Sequence, residues 1–353
     1  MMDSTTDDPN WRVIVDAIAD PAVVIDHGGT VIHLNPSLVD LFPRARAGNP
    51  ISLLSREPAL FDALKEAGRD ARPTVVQLHN RVPVERRLSA IITALSVDEG
   101  DERSPAFLIA FRDVTDQERH AKLRAEFVAN ASHELRTPLA SLKLTLETMK
   151  GAGRDDASSK DRFLMMMSAQ AERMIQLIDD LMSLNRVEMR AHLPPRGSVD
   201  VGELLSQVVT TLEPLAESSD IAVSLSAPAK PIYVRGEWSE LSQVFDNLIQ
   251  NGIRYGNAGG RVSIGLSERA DDLVGPRIAI EVADTGIGIA AEHLPRLTER
   301  FYRVSAAASR QKGGTGLGLA IVKHIVSRHR GELQIESERD KGSVFTVLLP
   351  AVT

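Results

Sequence analysis

The sequence contains no cysteine. That absence excludes disulfides, cysteine-ligated zinc and thiol catalysis, and it fits a reducing compartment. An excess of basic residues is also missing: 41 Lys and Arg stand against 48 Asp and Glu, a formal net charge of -7. A nucleic-acid-binding surface normally carries the opposite balance, so no nucleic-acid partner is expected. No uninterrupted apolar run approaches the roughly 20 residues of a membrane-spanning helix. The chain therefore reads as cytoplasmic, or as the cytoplasmic portion of an inner-membrane protein, with membrane attachment only through an upstream segment outside this chain. Internal repeats and strongly low-complexity segments are absent as well.

What is present is ordinary globular composition, 43% hydrophobic and 25% charged over 353 residues, with room for two or three domains. Residues 1–9 are polar and acidic and are expected to be disordered. From 10 to 115, short apolar runs alternate with turn signals. AVVID and TVIHLN read as strands, and Asn35-Pro36 reads as a helix start, with Asn as cap and Pro at the first helical position. RRLSAIITALS and AFLIAFRDV are further strands, with Phe107, Ile109 and Phe111 on one face by period-two alternation. This predicts a small mixed α/β domain with an antiparallel sheet. From 116 to 192 the sequence becomes long, charged and helix-forming, broken near Gly151 and Gly153, which predicts an antiparallel helical hairpin. After Pro194, Pro195 and Gly197, helices and strands alternate from 198 to 353 in the pattern of a layered α/β domain.

The first helix of the hairpin raises a specific question at NASHELRTPLA. Advancing about 100° per residue, Phe127, Val128, Ala131, Leu135, Leu139, Leu142, Leu146 and Met149 fall in one sector. His133 lies on the order of 180° from the middle of that stripe, with Thr137 one turn later on the same outward face. Pro138 removes the N–H that would satisfy the Glu134 carbonyl, so a bend is expected just after the histidine. The second helix offers Phe163, Met166, Met174, Leu177, Ile178, Leu181 and Leu184 at helical spacing. Two helices make a thin core, and pairing two hairpins into a four-helix bundle is the usual remedy, so a homodimer is expected.

The segment FVANASHELRTPLASLK resembles the phospho-acceptor motif of sensor histidine kinases, with His133 at the accepting position. The resemblance implies that Glu134 assists removal of the imidazole proton and that Thr137 helps place a water that dephosphorylates a partner. It also implies a response-regulator receiver domain as that partner.

Downstream, Asn247 and Asn251 lie one helical turn apart, where carboxamide oxygens are suited to a hard cation. A strand then runs into Asp284-Thr-Gly-Ile-Gly288. Finally Gly313-Gly-Thr-Gly-Leu-Gly318 opens onto a helix, an arrangement whose amides cradle phosphate. It is neither the P-loop pattern nor a Rossmann fingerprint. In order and spacing, these motifs and ERFYR resemble the nucleotide site of histidine-kinase ATPase domains, an α/β sandwich of the Bergerat type. The resemblance implies ATP and Mg as cofactors, with Asn251 on the metal and Asp284 on the adenine amino group. Gly286 and Gly288 would shape the adenine pocket, and Gly314, Thr315, Gly316, Leu317 and Gly318 would form the phosphate loop, anchoring a lid over RVSAAASRQKGG. Asn247, Arg254 and Tyr255 complete the expected site. Hydrolysing relatives carry a water-activating glutamate where this chain has Asn247, so transfer rather than hydrolysis is expected. Residues 10–115 resemble a PAS sensor domain. The whole is expected to be a multidomain α+β sensor histidine kinase of two-component signalling, with the phosphate-regulon sensors as its expected subgroup. The rival expectations are a non-catalytic scaffold and a protein acting mainly as a phosphatase.

Overall fold

The computed structural model describes residues 10–70, 72–80, 85–95, 106–150, 157–269, 275–304 and 314–351. The chain forms two compact units, Met1–Glu126 and Phe127–Thr353.

In the first unit, helix α1 (Asn10–Asp16) leads into strands β1 (Ala22–Ile25) and β2 (Val31–Leu34) and helix α2 (Pro36–Leu41). The Asn35 cap does more than start α2. Its fully buried side chain accepts from the Leu38 amide at 3.0 Å and the Ala22 amide at 2.9 Å, and donates to the carbonyls of Ile18 and Asp20, both at 2.9 Å. One short-range signal thus ties the helix start to the strand before it. Helix α3 (Pro58–Asp70) and strands β3 (Thr74–Asn80), β4 (Arg86–Ala94) and β5 (Phe107–Asp113) complete an antiparallel sheet in the order β2-β1-β5-β4-β3. Ile109 and Phe111 are buried and Phe107 packs against the same cluster, as the alternation predicts. His33 pairs with the Asp16 carboxylate at 2.8 Å, a structural role. Neither α3 nor β3 carries a clear signal in the sequence. Leu60, Ala63, Leu64 and Ala67 give α3 a buried helical stripe, but half of it is alanine, which weakens the signal.

Helix α4 (Thr115–Lys150) carries His133 and holds Pro138 within it, and helix α5 (Ala157–Met189) follows. Their apolar stripes are only partly covered in a single chain. Phe127 and Leu135 pack on the core of the second unit, and Leu177, Leu184 and Val187 belong to it. Leu139 and Leu146 remain 57% and 43% exposed, and Met166 and Ile178 are each 46% exposed.

The rest of the second unit comprises β6 (Ser198–Asp200), α6 (Val201–Ser218), β7 (Ile221–Ser226), β8 (Tyr233–Arg235), α7 (Trp238–Tyr255), β9 (Gly260–Arg269), β10 (Arg277–Asp284), α8 (Gly318–Arg328), β11 (Glu332–Glu338) and β12 (Gly342–Pro350). The main sheet runs β11-β12-β10-β9-β7, antiparallel except for the β7–β9 pair, while β6 and β8 form a separate ribbon. Asp200 caps α6 by accepting from the amides of Gly202 and Glu203. Leu205 of α6, Phe245 and Leu248 of α7, and Ile321 and Ile325 of α8 are sealed in the same core as Val262, Ile280 and Val347 of the sheet. Each such side chain contributes roughly 1.5–3 kcal/mol of burial.

At the far end of this core, Arg328 pairs with Glu240 and donates Nε to the Arg190 carbonyl at 3.2 Å. His329 sits beside them. The Glu237 amide donates to its Nε2 at 3.2 Å, so Nδ1 carries the proton and donates to the Ile325 carbonyl at 2.8 Å. Burial pushes the imidazole below its ordinary pKa, outweighing the Ile325 bond and the nearby Glu240 carboxylate, which favour the charged form. The unfolded chain therefore binds a proton that the fold rejects. Stability contributed by His329 is intact above about pH 6.5 and is lost as pH falls below it, by up to about 1.4 kcal/mol per pH unit until the depressed folded pKa is reached. Proton NMR checks this directly: the His329 ring should titrate below the ordinary imidazole value, and titration at or above that value would refute it.

Candidate functional site

On α4, His133 and Thr137 are exposed on one face, as the wheel predicts. Thr137 donates its hydroxyl to the His133 carbonyl at 3.2 Å, so in this arrangement it is bonded to its own helix. Glu134 turns the other way, into the protein. Its carboxylate accepts from the Arg303 guanidinium at 2.9 Å and lies 3.8 Å from Arg173. The Arg303 side chain is only 8% exposed, and its buried Nε has no hydrogen-bond partner among the described residues. Helical geometry thus splits adjacent residues: the histidine faces out, and the glutamate reaches toward the sheet domain.

Helix α7 brings Asn247, Asn251, Arg254 and Tyr255 to a single cavity of about 230 Å³, also lined by Asp284, Gly288, Gly314, Thr315, Gly316 and Gly318. Asn247 donates to the Gln243 carbonyl at 3.0 Å within its own helix. Asp284, at the end of β10, accepts from the Gly286 amide at 2.8 Å. Burial pushes its carboxyl above the ordinary range, against the hydrogen bonds from Gly286 and Ser343. Two expected site residues do not line the cavity: Gly286 is buried behind this turn, and Leu317 is sealed in the core.

Two glycines have clear physical causes. Gly288 has φ +61°, and a Cβ there would run into the Glu338 carbonyl. Gly316 has φ +75°, and its carbonyl accepts from the Phe301 amide at 2.8 Å while a Cβ would press on the Phe301 backbone. Phe301 itself has φ +63° and stacks at a tilt on Phe127, with ring centroids 5.9 Å apart. The expected lid falls largely on 305–313, outside the described residues.

The arrangement fits a polyphosphate. Helix α8 begins at Gly318 with no side-chain cap, and Gly318 and Leu319 line the cavity, so the uncapped, positive end of its dipole lies at the cavity wall, where Arg254 adds positive charge. Among the described residues there is no group of three or more His, Asp or Glu able to hold a metal ion. A magnesium ion would rest on the Asn251 carboxamide together with phosphate and water oxygens, a donor set that Mg²⁺ commonly takes.

Gln176 and Asp180 of α5 and Asp246 of α7 line the cavity outside every motif read from the sequence, while Tyr302 and Arg303 line it from the ERFYR segment, where no individual role was expected of them. Asp180 left one signal. It lies three residues after Leu177 and four before Leu184, an acid on the buried stripe of its helix.

Two families match this chain. Residues 123–190 match "His Kinase A (phospho-acceptor) domain", and residues 236–353 match "Histidine kinase-, DNA gyrase B-, and HSP90-like ATPase". The chain is 34% identical over 333 residues to the phosphate regulon sensor protein PhoR of Pseudomonas aeruginosa, covering 94% of this chain and 72% of that one. It is 35% identical over 288 residues to the sensor-like histidine kinase SenX3 of Mycolicibacterium smegmatis, covering 81% and 72%. Among solved structures, Acinetobacter baumannii histidine kinase AdeS aligns with TM-score 0.48 at 25% identity, covering 63% of this chain and 98% of that one. The chain belongs to the sensor histidine kinases. It is a protein histidine kinase, and its ATPase-type domain binds ATP. Among the described residues, no helix is long and apolar enough to cross a membrane.

Because Gly288 combines positive φ with backbone contact, Gly288→Ala is expected to destabilise the ATPase domain by roughly 2–4 kcal/mol. Urea unfolding of the variant checks this; an unchanged midpoint would show that the turn relaxes freely.

Proposed function

We propose that His133 accepts the γ-phosphoryl group of ATP and passes it to an aspartate on a response-regulator receiver domain. A ring nitrogen of His133 attacks the γ-phosphorus, the bond to the bridging oxygen of ADP breaks, and the displaced imidazole proton passes to the Glu134 carboxylate. Asn251 would hold Mg²⁺, which supplies charge neutralisation on the phosphates, and Asp284 would accept from the adenine amino group. Gly314, Thr315, Gly316 and Gly318 would cradle phosphate, and Asn247, with no basic side chain to activate water, would spare ATP from hydrolysis. The observation that carries this is Arg303: it lines the nucleotide cavity and holds Glu134, the neighbour of His133.

In this scheme residues 10–115 are a PAS-like sensor, 116–192 the dimerisation and phosphotransfer hairpin, and 198–353 the catalytic domain. The uncovered Leu139, Leu146, Met166 and Ile178 support closure of the hairpin by a second copy. The protein would act on the cytoplasmic side, as a member of the phosphate-regulon sensor group. Thr137, exposed one turn from His133, favours a second activity, dephosphorylation of the same response regulator, for which its hydroxyl would leave the His133 carbonyl and orient water.

Incubation with γ-labelled ATP and magnesium should give acid-labile, alkali-stable label on the native chain and none on His133→Gln. Label retained on His133→Gln would move the acceptor elsewhere. No label on a native dimer that binds ATP would favour a scaffold or a phosphatase-dominant protein.

A further inference from the structure

The cavity assigned to ATP is not built from the ATPase domain alone. Helix α5 of the phosphotransfer hairpin inserts Gln176 and Asp180 into its wall. Asp180 is 5% exposed, yet it is a carboxylic acid in a cavity whose expected occupant is strongly anionic. One carboxylate oxygen accepts from the Thr315 hydroxyl at 2.6 Å, and the other accepts from the Gln176 amide at 2.9 Å. Thr315 in turn accepts from the Leu317 amide at 3.3 Å. The relay therefore runs from a backbone N–H of the glycine loop, through a hydroxyl, to a carboxylate supplied by another domain. A loop suited to anions is already engaged by one, and Arg254, the nearby cation, is shared with it.

We propose that Asp180 is a phosphate surrogate that sets nucleotide affinity: with α5 docked, its carboxylate takes the hydrogen-bonding capacity of the Thr315–Leu317 turn and repels the triphosphate. This rests on the assignment of the cavity to ATP. A bound triphosphate and a docked Asp180 compete for the same donors. By linkage, a movement that withdraws α5 tightens ATP, and ATP loosens the hold on α5 to the same extent. Two further contacts would be released together with it, Ser183 with Gln243 at 2.6 Å and Glu188 with Arg300. The Arg303–Glu134 pair adds a parallel constraint, because while it stands the carboxylate proposed to take the His133 proton is held by a guanidinium.

The test is calorimetric binding of a non-transferable ATP analogue, ADP and adenosine to the full chain with magnesium. Asp180→Asn keeps the shape and removes the charge, and the Gln176 amide can turn to offer its oxygen to the new NH₂. The variant should bind the analogue at least about ten-fold more tightly, ADP with a smaller gain, and adenosine unchanged, as a charge–charge effect requires. Asp180→Glu, which retains the charge, should stay near the native values. Equal shifts for all three ligands, or no shift for the analogue, would overturn the surrogate role. Failure of every adenine ligand to bind any of the three chains would overturn the ATP assignment itself, and the proposal with it. Hydrogen exchange on the native chain gives an independent reading: amides of 176–184 should exchange faster with the analogue than with adenosine, and slower or equal exchange would count against the proposal.

Discussion

Everything at the site depends on how helix α5 is buried. Leu177, Leu184 and Val187 enter the same core as α7, α8 and the sheet, so the hairpin and the ATPase domain share one hydrophobic interior in this arrangement. An apolar surface cannot be withdrawn without exposing it to water, and that exposure acts over the whole contact rather than at one bond. The polar contacts are placed by this burial. Asp180 reaches Thr315, Ser183 reaches Gln243, and Arg328 reaches the Arg190 carbonyl because the helix lies where its leucines are covered.

The electrostatic character of the cavity follows from the same packing. Asp180, Asp246 and Asp284 all line it, and burial pushes each carboxyl above its ordinary range. Hydrogen bonds from Thr315, Gln250 and Gly286 oppose that rise, and Arg254 pulls Asp180 and Asp246 down. Buried acids near a phosphate cradle are unfavourable when every one is charged, and their partners are what make them tolerable. Nothing local distinguishes Asp246 from an ordinary surface aspartate, and Asp180 is marked only by its place on the buried stripe of its helix.

What could be read from the chain was short-range or periodic. The Asn35 cap needs only the residues beside it, the outward His133 only helical geometry, and the glycine loop before α8 only its spacing. The pairs that complete the site are long-range. Arg303 and Glu134 are 169 residues apart, and Thr315 and Asp180 are 135 apart. Helical period shows that Asp180 sits on a buried stripe, but not which element covers that stripe. Likewise, it separates Glu134 from His133 without revealing that an arginine waits on the inner side. Strand β3 was missed for a related reason: Val76 and Leu78 face inward while Val75, also apolar, faces out, blurring the alternation.

The incompletely covered stripes of α4 and α5 also bear on how stable the hairpin is. Side chains such as Leu139 and Met166 add little to a lone chain while they remain in water, and their burial energy becomes available only on association. In the proposed dimer, mass action would govern that part of the fold. Dilution alone would then lower the melting temperature of the second unit, whose core α5 shares, while the antiparallel sheet of the first unit, closed on its own core of Leu38, Ile109 and Phe111, is governed by contacts within one chain. A single protein would thus melt with one transition that depends on its concentration and another that does not.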